Sequence, residues 1–395
     1  MLHENTVKLC SRLIRARSYS GEETEAAYVV RAAMKALHYD EVHVDEYGNV
    51  IGCIHGKQPG PTVLLDGHID TVRVPDPKKW THDPFGGKID KDRIWGRGAS
   101  DMKGAVAAMI CAAAAFRDRC QGDFPGKLYV AAVVYEELFE GVSPRIISRA
   151  VKPDFVVIGE STHLALNIGQ RGRGEIVVET FGKAAHSSNP ERGINAVNQM
   201  MKLLSEIEKI EPQEQEGLGK GILEVTDIHS EPYPGSSVVP EKCTATLDRR
   251  LLVGDTPESV LEPVNRIIET LSAKDETFRA RAYIRREQKE CYTRNTIESL
   301  RFFPAWKQDR NAPFVVNAFE ALKKAGLDPE ISCYSFCTNG SHYAGEAKIP
   351  TVGFGPSLES LAHTVDEYIL IEQLVRSADG YVELADALLH TPVEK

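Results

Sequence analysis

Two histidines and five carboxylates stand where their side chains could meet around divalent cations. The stretch Leu65-Asp66-Gly67-His68-Ile69-Asp70-Thr71 closes an apolar run that reads as a buried strand. Open α/β sheets place their ligand sites at such strand ends. His68 and Asp70 are two apart, so extended backbone turns both to one side. A carboxylate there can accept the second imidazole N–H and fix the tautomer of a metal-bound histidine. Asp101 lies in Gly96-Arg97-Gly98-Ala99-Ser100-Asp101-Met102-Lys103-Gly104, a strand-to-helix turn. This nearly matches the dinucleotide fingerprint GxGxxG. Asp101 stands where the third glycine belongs, however, and its charge would repel a pyrophosphate. Glu136 and Glu137 follow the apolar run Leu128 to Tyr135, and Glu160 follows Phe155 to Ile158. His363 sits in Ala362-His363-Thr364-Val365-Asp366-Glu367, where an N-cap at Thr364 or Asp366 is expected to hold the loop before the last helix.

One sheet edge would therefore gather Asp70, Asp101, Glu136, Glu137 and Glu160. Carboxylates crowded in this way cannot all ionise unless cations are present. Imidazoles with carboxylates suit zinc, with cobalt or manganese as alternatives. With Asp101 shared, the residues His68, Asp101, Glu137, Glu160 and His363 give each of two ions three protein ligands. Such ions sit about 3.5–4 Å apart and leave a position for a bridging water. Glu136 remains as the natural general base. No G-x-S-x-G elbow is present, which argues against a serine hydrolase.

The elements that must position these groups can be read from periodicity. Residues 4–37 have helical spacing with a break at Ser20-Gly21-Glu22-Glu23. Short strands are expected at 42–45, 49–54, 62–66, 128–135 and 155–158, with a helix of small residues over 104–116. Strands alternating with helices imply an α/β core with a largely parallel sheet. Beyond Gly169 to Gly174 the order becomes β-α-β-β-α-β, that of a ferredoxin-like split unit. The α/β pattern resumes after Tyr292 with a helix at 315–325, a strand at 351–355 and a helix at 369–389. The expected organisation is one α/β domain, 1–174 and 291–395, split by an inserted α+β domain, 175–290.

The chain has 395 residues, a net charge of −10 and 42% hydrophobic residues, an ordinary globular composition. The acidic balance makes a nucleic-acid partner unexpected, since phosphate binding needs clustered Lys and Arg. The clusters Arg171/Arg173 and Arg281/Arg285/Arg286 are short and read as solvated edges or a local anion site. No apolar run approaches 18 residues and no basic start leads into an apolar stretch, so neither a membrane span nor a signal peptide is expected. Eight scattered cysteines read as free thiols in a reducing cytoplasm.

Taken together, these motifs resemble the M20 family of co-catalytic zinc metallopeptidases and amidohydrolases. That family includes aminoacylases, acetylornithine and succinyl-diaminopimelate deacylases, and carboxypeptidases. The resemblance covers essentially the whole chain. Tyr-Glu-Glu, Gly-Glu-Ser-Thr and Asn-Gly-Ser-His most resemble the branch of selenium-metabolism-linked hydrolases. It implies a zinc-exopeptidase-like catalytic domain with a central mixed sheet, and an inserted ferredoxin-like lid through which two copies pair. His68 and Glu160 would hold one metal, Glu137 and His363 the other, with Asp101 bridging. Asp70 would orient His68, and Glu136 would be the base. His186, in Gly182-Lys183-Ala184-Ala185-His186-Ser187-Ser188, would stabilise the oxyanion in a partner's site. Arg250 would bind a substrate carboxylate, while Arg249 faces the other way and is expected in solvent. The loop Thr338-Asn339-Gly340-Ser341-His342 would line the pocket, with Asn339, Gly340 and Ser341 as substrate contacts and His342 either solvated or an extra ligand. Many relatives carry Asn where Ser237 stands, and a Gly-Gly-x-Asp-like loop at 338–342. The implied reaction is hydrolysis of an amide bond in a small N-acyl or N-carbamoyl amino acid or dipeptide. The alternative is a non-hydrolytic, metal-dependent small-molecule binding protein on the same fold.

Overall fold

Residues 1–393 are described by a computed structural model, and they pack as two units. The larger comprises residues 1–170, 288–298 and the chain from Trp306 onward; the smaller comprises Arg171–Glu287 and Ser299–Ala305. The expected divisions at 174/175 and 290/291 therefore shift. Gly172–Phe181 is one strand of the smaller unit's sheet, and Phe302-Phe303 pairs with its Gly174 and Arg173.

The larger unit is built on a mixed nine-stranded sheet. Its centre is four parallel strands, in the spatial order Pro125–Val133, Gln58–His68, Phe155–Ile158 and Thr351–Gly353. Antiparallel neighbours flank them: Val50–His55 on one side and Leu166–Gln170 on the other. Buried on both faces, the central strands are continuous apolar runs without alternation. The opening helical stretch forms Leu2–Arg15 and Thr24–Ala36, parted at Gly21, whose φ is +88°. Their Leu9, Leu13, Ile14, Ala26, Val30 and Met34 face the core.

The small-residue helix runs Gly104–Cys120 and packs against Leu2–Arg15 and the closing helix Ile371–Leu389. Alanines let neighbouring backbones approach, and burying Ile110 and Phe116 contributes about 1.5–3 kcal/mol each. Gly104 is needed at its start, because a Cβ there would lie 2.6 Å from the Ala99 carbonyl oxygen. Taken through the kink at its start, the segment Ala99–Cys120 is long and apolar enough to cross a membrane. Its apolar window is 89% buried in the unit, as suits a core helix. All eight cysteines carry free thiols.

In the smaller unit, strands Ile222–Glu231, Lys242–Leu251, Gly172–Phe181 and Arg279–Ile284 lie side by side, all antiparallel. Helices Ala196–Ile207 and Pro257–Lys274 cover one face. The β-α-β-β-α-β order is thus folded as the ferredoxin-like arrangement. Asn195 caps the first helix through Val197 N–H, and Thr256 with Ser259 forms a capping box on the second.

Candidate metal centre

Three adjacent parallel strands deliver the site. His68 is the last residue of Gln58–His68, Glu136 and Glu137 lie just past Pro125–Val133, and Glu160 lies just past Phe155–Ile158. Asp101 comes from the turn before the Gly104–Cys120 helix, where Gly98 has φ +85° and the Asp101–Met102 peptide is cis. His363 comes from the loop before Tyr368–Leu370.

These side chains converge. His68 Nε2 is 2.9 Å from Asp101 Oδ1, 3.5 Å from Glu160 Oε1 and 4.0 Å from Glu136 Oε2. His363 Nε2 is 3.1 Å from Asp101 Oδ2 and 3.0 Å from Glu137 Oε2. Asp101 therefore presents one carboxylate oxygen to each imidazole. The sets His68, Glu136, Glu160 and His68, Asp101, Glu137 can each place three donor atoms within 4.8 Å of one another.

The electrostatics are those of a cation site. Burial, with Asp101, Glu137 and Asp66 nearby, pushes Glu160 up to about 8. Burial and neighbouring carboxylates raise Glu136 and Glu137 as well. His363 is raised to about 10 by its hydrogen bonds to Asp101 and Glu137. At His68 burial works against the charge, but Glu160, Asp101 and Glu136 outweigh it and hold the imidazole well above its ordinary range. Asp101 is held low by the two imidazoles despite burial. Glu136 Oε1 and Glu137 Oε1 are buried without a hydrogen-bond partner. Two nitrogen and several carboxylate donors, with buried oxygens left unsatisfied, fit divalent cations.

Support comes from residues around the site. His68 Nδ1 donates to the Asp70 carbonyl at 3.0 Å, while the nearer Asp70 carboxylate oxygen is 3.5 Å away. The expected carboxylate–imidazole contact is thus replaced by a main-chain one. The Asp70 carboxylate instead accepts from Ser20 Oγ at 2.7 Å, Glu136 N at 3.0 Å and Glu137 N at 3.2 Å, which aims the Glu136-Glu137 pair. Glu367 does the same for Asp101. Its Oε1 accepts from Ser100 N and Asp101 N at 2.9 and 3.1 Å, and its Oε2 from Arg97 at 2.6 Å. Tyr135 and His363 both have φ near +60°, a strain of about 1–3 kcal/mol each that this network must hold.

The expected N-cap is absent: Leu370 precedes the closing helix without a side-chain cap. Asp366 instead accepts from Thr81 N and Oγ1, both at 2.7 Å, and Thr364 bonds back to Leu361 O.

The loop expected to contact substrate turns its side chains inward. Asn339 bonds Asp66 and Gly141 N, and Ser341 bonds the Glu140 carbonyl; both are almost fully buried. Gly340 N is taken by Thr338 Oγ1 at 3.0 Å. His342 is neither solvated nor a ligand: its Nδ1 meets Glu346 at 2.8 Å and its Nε2 meets Ser148 at 2.7 Å.

In the smaller unit, His186 is exposed and its Nδ1 accepts from Ser188 Oγ at 2.7 Å. Ser237, with φ +55°, accepts at its carbonyl from Ser187 N. Arg250 Nε is 2.9 Å from Asp248 Oδ1, whose other oxygen is 2.8 Å from Arg173 Nε. Arg249 is not solvated; its side chain is 12% exposed, near Asp255, and one guanidinium nitrogen is buried without a partner. It shares its strand face with Cys243, Ala245 and Leu247, which form the core.

Comparisons with known proteins find relatives along nearly the whole chain. YgeY of Escherichia coli K12, described as uncharacterized, is 32% identical over 387 residues, covering 96% of this chain and 93% of that protein. A succinyl-diaminopimelate desuccinylase of Paracoccus denitrificans is 29% identical, covering 95% and 96%. Among solved structures, a Staphylococcus aureus tripeptidase matches with TM-score 0.75 at 20% identity, covering 98% and 99%. Bacillus subtilis YxeP, described as a dinuclear metal binding peptidase from the M20 family, matches with TM-score 0.72 at 18% identity, covering 99% of both chains. The model of peptidase family M20/M25/M40 matches residues 64–387, a span that holds every residue of the candidate centre, and the chain belongs to that family.

Proposed function

We propose that the protein is a metal-dependent amidohydrolase acting on a small N-acyl or N-carbamoyl amino acid or a dipeptide. The observation that carries this reading is the placement of Asp101 between two imidazoles, 2.9 and 3.1 Å away. His68 and Glu160 would hold one divalent ion, Glu137 and His363 the other, and Asp101 both. Zinc suits this donor set best, with cobalt or manganese as alternatives. When bound, such ions lower the pKa of a water and polarise a carbonyl.

The remaining chemistry belongs to the chain. Glu136, unpartnered at Oε1 and raised by burial, takes the proton of the attacking water and delivers it to the leaving nitrogen. Asp70 keeps that carboxylate aimed by holding the Glu136 N–H. His186 is assigned to the developing oxyanion. Arg250 is assigned to a substrate carboxylate, to which it can make a bidentate contact while Asp248 keeps Arg173. Two copies pairing through the smaller unit complete the reading.

The test is Glu136→Gln. It should retain both metals by elemental analysis and lose about 10²–10⁴-fold in kcat on acyl amino acids. Near-normal turnover would remove Glu136 as the base. Ligand binding insensitive to chelators, without turnover on any acyl, carbamoyl or dipeptide substrate, would favour the non-hydrolytic alternative.

A further inference from the structure

The larger unit carries a cleft of about 550 Å³ that the reaction described above does not use. None of the candidate metal centre's own residues lines it, but its walls are linked to that centre through the chain and through hydrogen bonds to main-chain carbonyls. Ser161, one of its walls, follows Glu160 in the chain, and Tyr334, another, directs its hydroxyl to the Glu160 carbonyl at 3.4 Å. Leu358, at a third side, accepts at its carbonyl from Ser100, the neighbour of Asp101.

Asn167 lines this cleft and is 4% exposed. Its neighbours Leu166 and Ile168 enter the core, so alternation turns Asn167 to the opposite face, beside its register partner Ser332, which also lines the cleft. No hydrogen bond joins the Asn167 amide to another side chain or backbone group among the described residues. An amide on the wall of a cleft offers a ligand both a donor and an acceptor.

The charge of the lining is one-sided. Among the described residues, Asp328, Glu330 and Glu359 contribute carboxylates, no Lys or Arg contributes, and His163 is the one residue of basic type. Tyr334 and Phe336 add aromatic rings, 5.2 Å apart at 60°. Carboxylates, an amide oxygen and ring faces all attract a cation. A space of this size fits an organic group rather than a bare ion, which needs ligands closing at about 2.0–2.6 Å.

We propose that this cleft receives the ammonium or guanidinium end of the substrate's side chain. Derivatives of basic amino acids are then the preferred class. The inference rests on the amidohydrolase reading for the word substrate, but binding tests it separately.

The experiment is calorimetry on zinc-loaded Glu136→Gln protein with Nα-acetyl-lysine and Nα-acetyl-norleucine, which differ by the charged end. The lysine compound should bind about tenfold tighter, and the preference should shrink at high salt. Glu330→Gln and Glu359→Gln, at exposed positions, should each reduce the preference, by up to roughly fivefold. Asn167→Leu should reduce it as well, with denaturation curves reporting its fold separately. Equal or tighter binding of the norleucine compound, or a preference untouched by both carboxylate variants, overturns the proposal. A preference for lysine without hydrolysis of any acyl amino acid by the wild-type holoenzyme leaves the cleft standing and removes the amidohydrolase reading. Equal binding with brisk hydrolysis of both does the reverse.

Discussion

Asp101 has two oxygens and two imidazoles to satisfy, and in the metal-free protein it does so by holding protons between the groups. His363 is raised to about 10 and Glu160 to about 8, so both carry protons at pH 7, as does the raised His68. On the proposed ligand set, ligation needs all three deprotonated. Metal binding at pH 7 should therefore release about two to three protons, and affinity should fall as pH is lowered, because protons compete for the same atoms. Calorimetry in buffers of different ionisation enthalpy reads the number directly; an apparent enthalpy independent of buffer would contradict the ligand set. At this scale the sequence was legible where chemistry depends on residue type at a strand end. His68, Glu136, Glu137 and Glu160 each follow a buried run, and the fold delivers each to the same edge. Side-chain direction was not legible. The family resemblance makes Asn339 and Ser341 substrate contacts, yet Asp66 and the Glu140 carbonyl take them inward. Only tertiary packing decides that.

The elements carrying the site are tied by a few buried polar contacts, and Glu367 is the central one. It joins the segment before Tyr368–Leu370 to the Asp101 turn and to Arg97, whose side chain is 4% exposed. Glu367→Gln would strip Arg97 of its counter-charge while leaving an amide oxygen for the backbone N–H groups. Loss of one partner from such a buried pair costs about 3–5 kcal/mol. Chemical denaturation of the metal-free variant should show a loss of that size, and competition against a chelator should show metal affinity about 10–100-fold weaker. A variant with wild-type stability and wild-type metal affinity would reduce Glu367 to a bystander. Sequence reading did not find this residue. The partners are 270 positions apart, and Glu367 reads only as an acid before a helix. The alternating elements were legible because strand and helix periods differ. The return of 299–305 to the smaller unit was not, since Phe302-Phe303 is a two-residue strand, too short for any period.

At the scale of the whole molecule, the smaller unit leaves a strand edge open. Ile222–Glu231 is the outer strand of its sheet, ten residues long, with one side paired to Lys242–Leu251. Val225 and Ile228 oppose Leu247 and Ala245, which are core residues, yet are themselves 40% and 49% exposed. The apolar layer under the helices thus continues past their cover. Long apolar edges of this kind invite pairing with another strand, and a second copy of the same strand is the partner that closed two-fold symmetry supplies. On the proposal that two copies pair here, light scattering on the eluting protein should give twice the 43.7 kDa chain mass. Val225→Lys with Ile228→Lys should return it to the single-chain mass, since each charge would be desolvated in the paired state. The helical and strand content should not change, because neither side chain is enclosed in the isolated unit. Activity gives a second reading of the same variant. If His186 serves the partner's site, monomerisation should lower kcat while the metal content per chain stays unchanged. A wild-type protein running at one chain mass at micromolar concentration, fully active, would remove both the pairing and the shared role of His186.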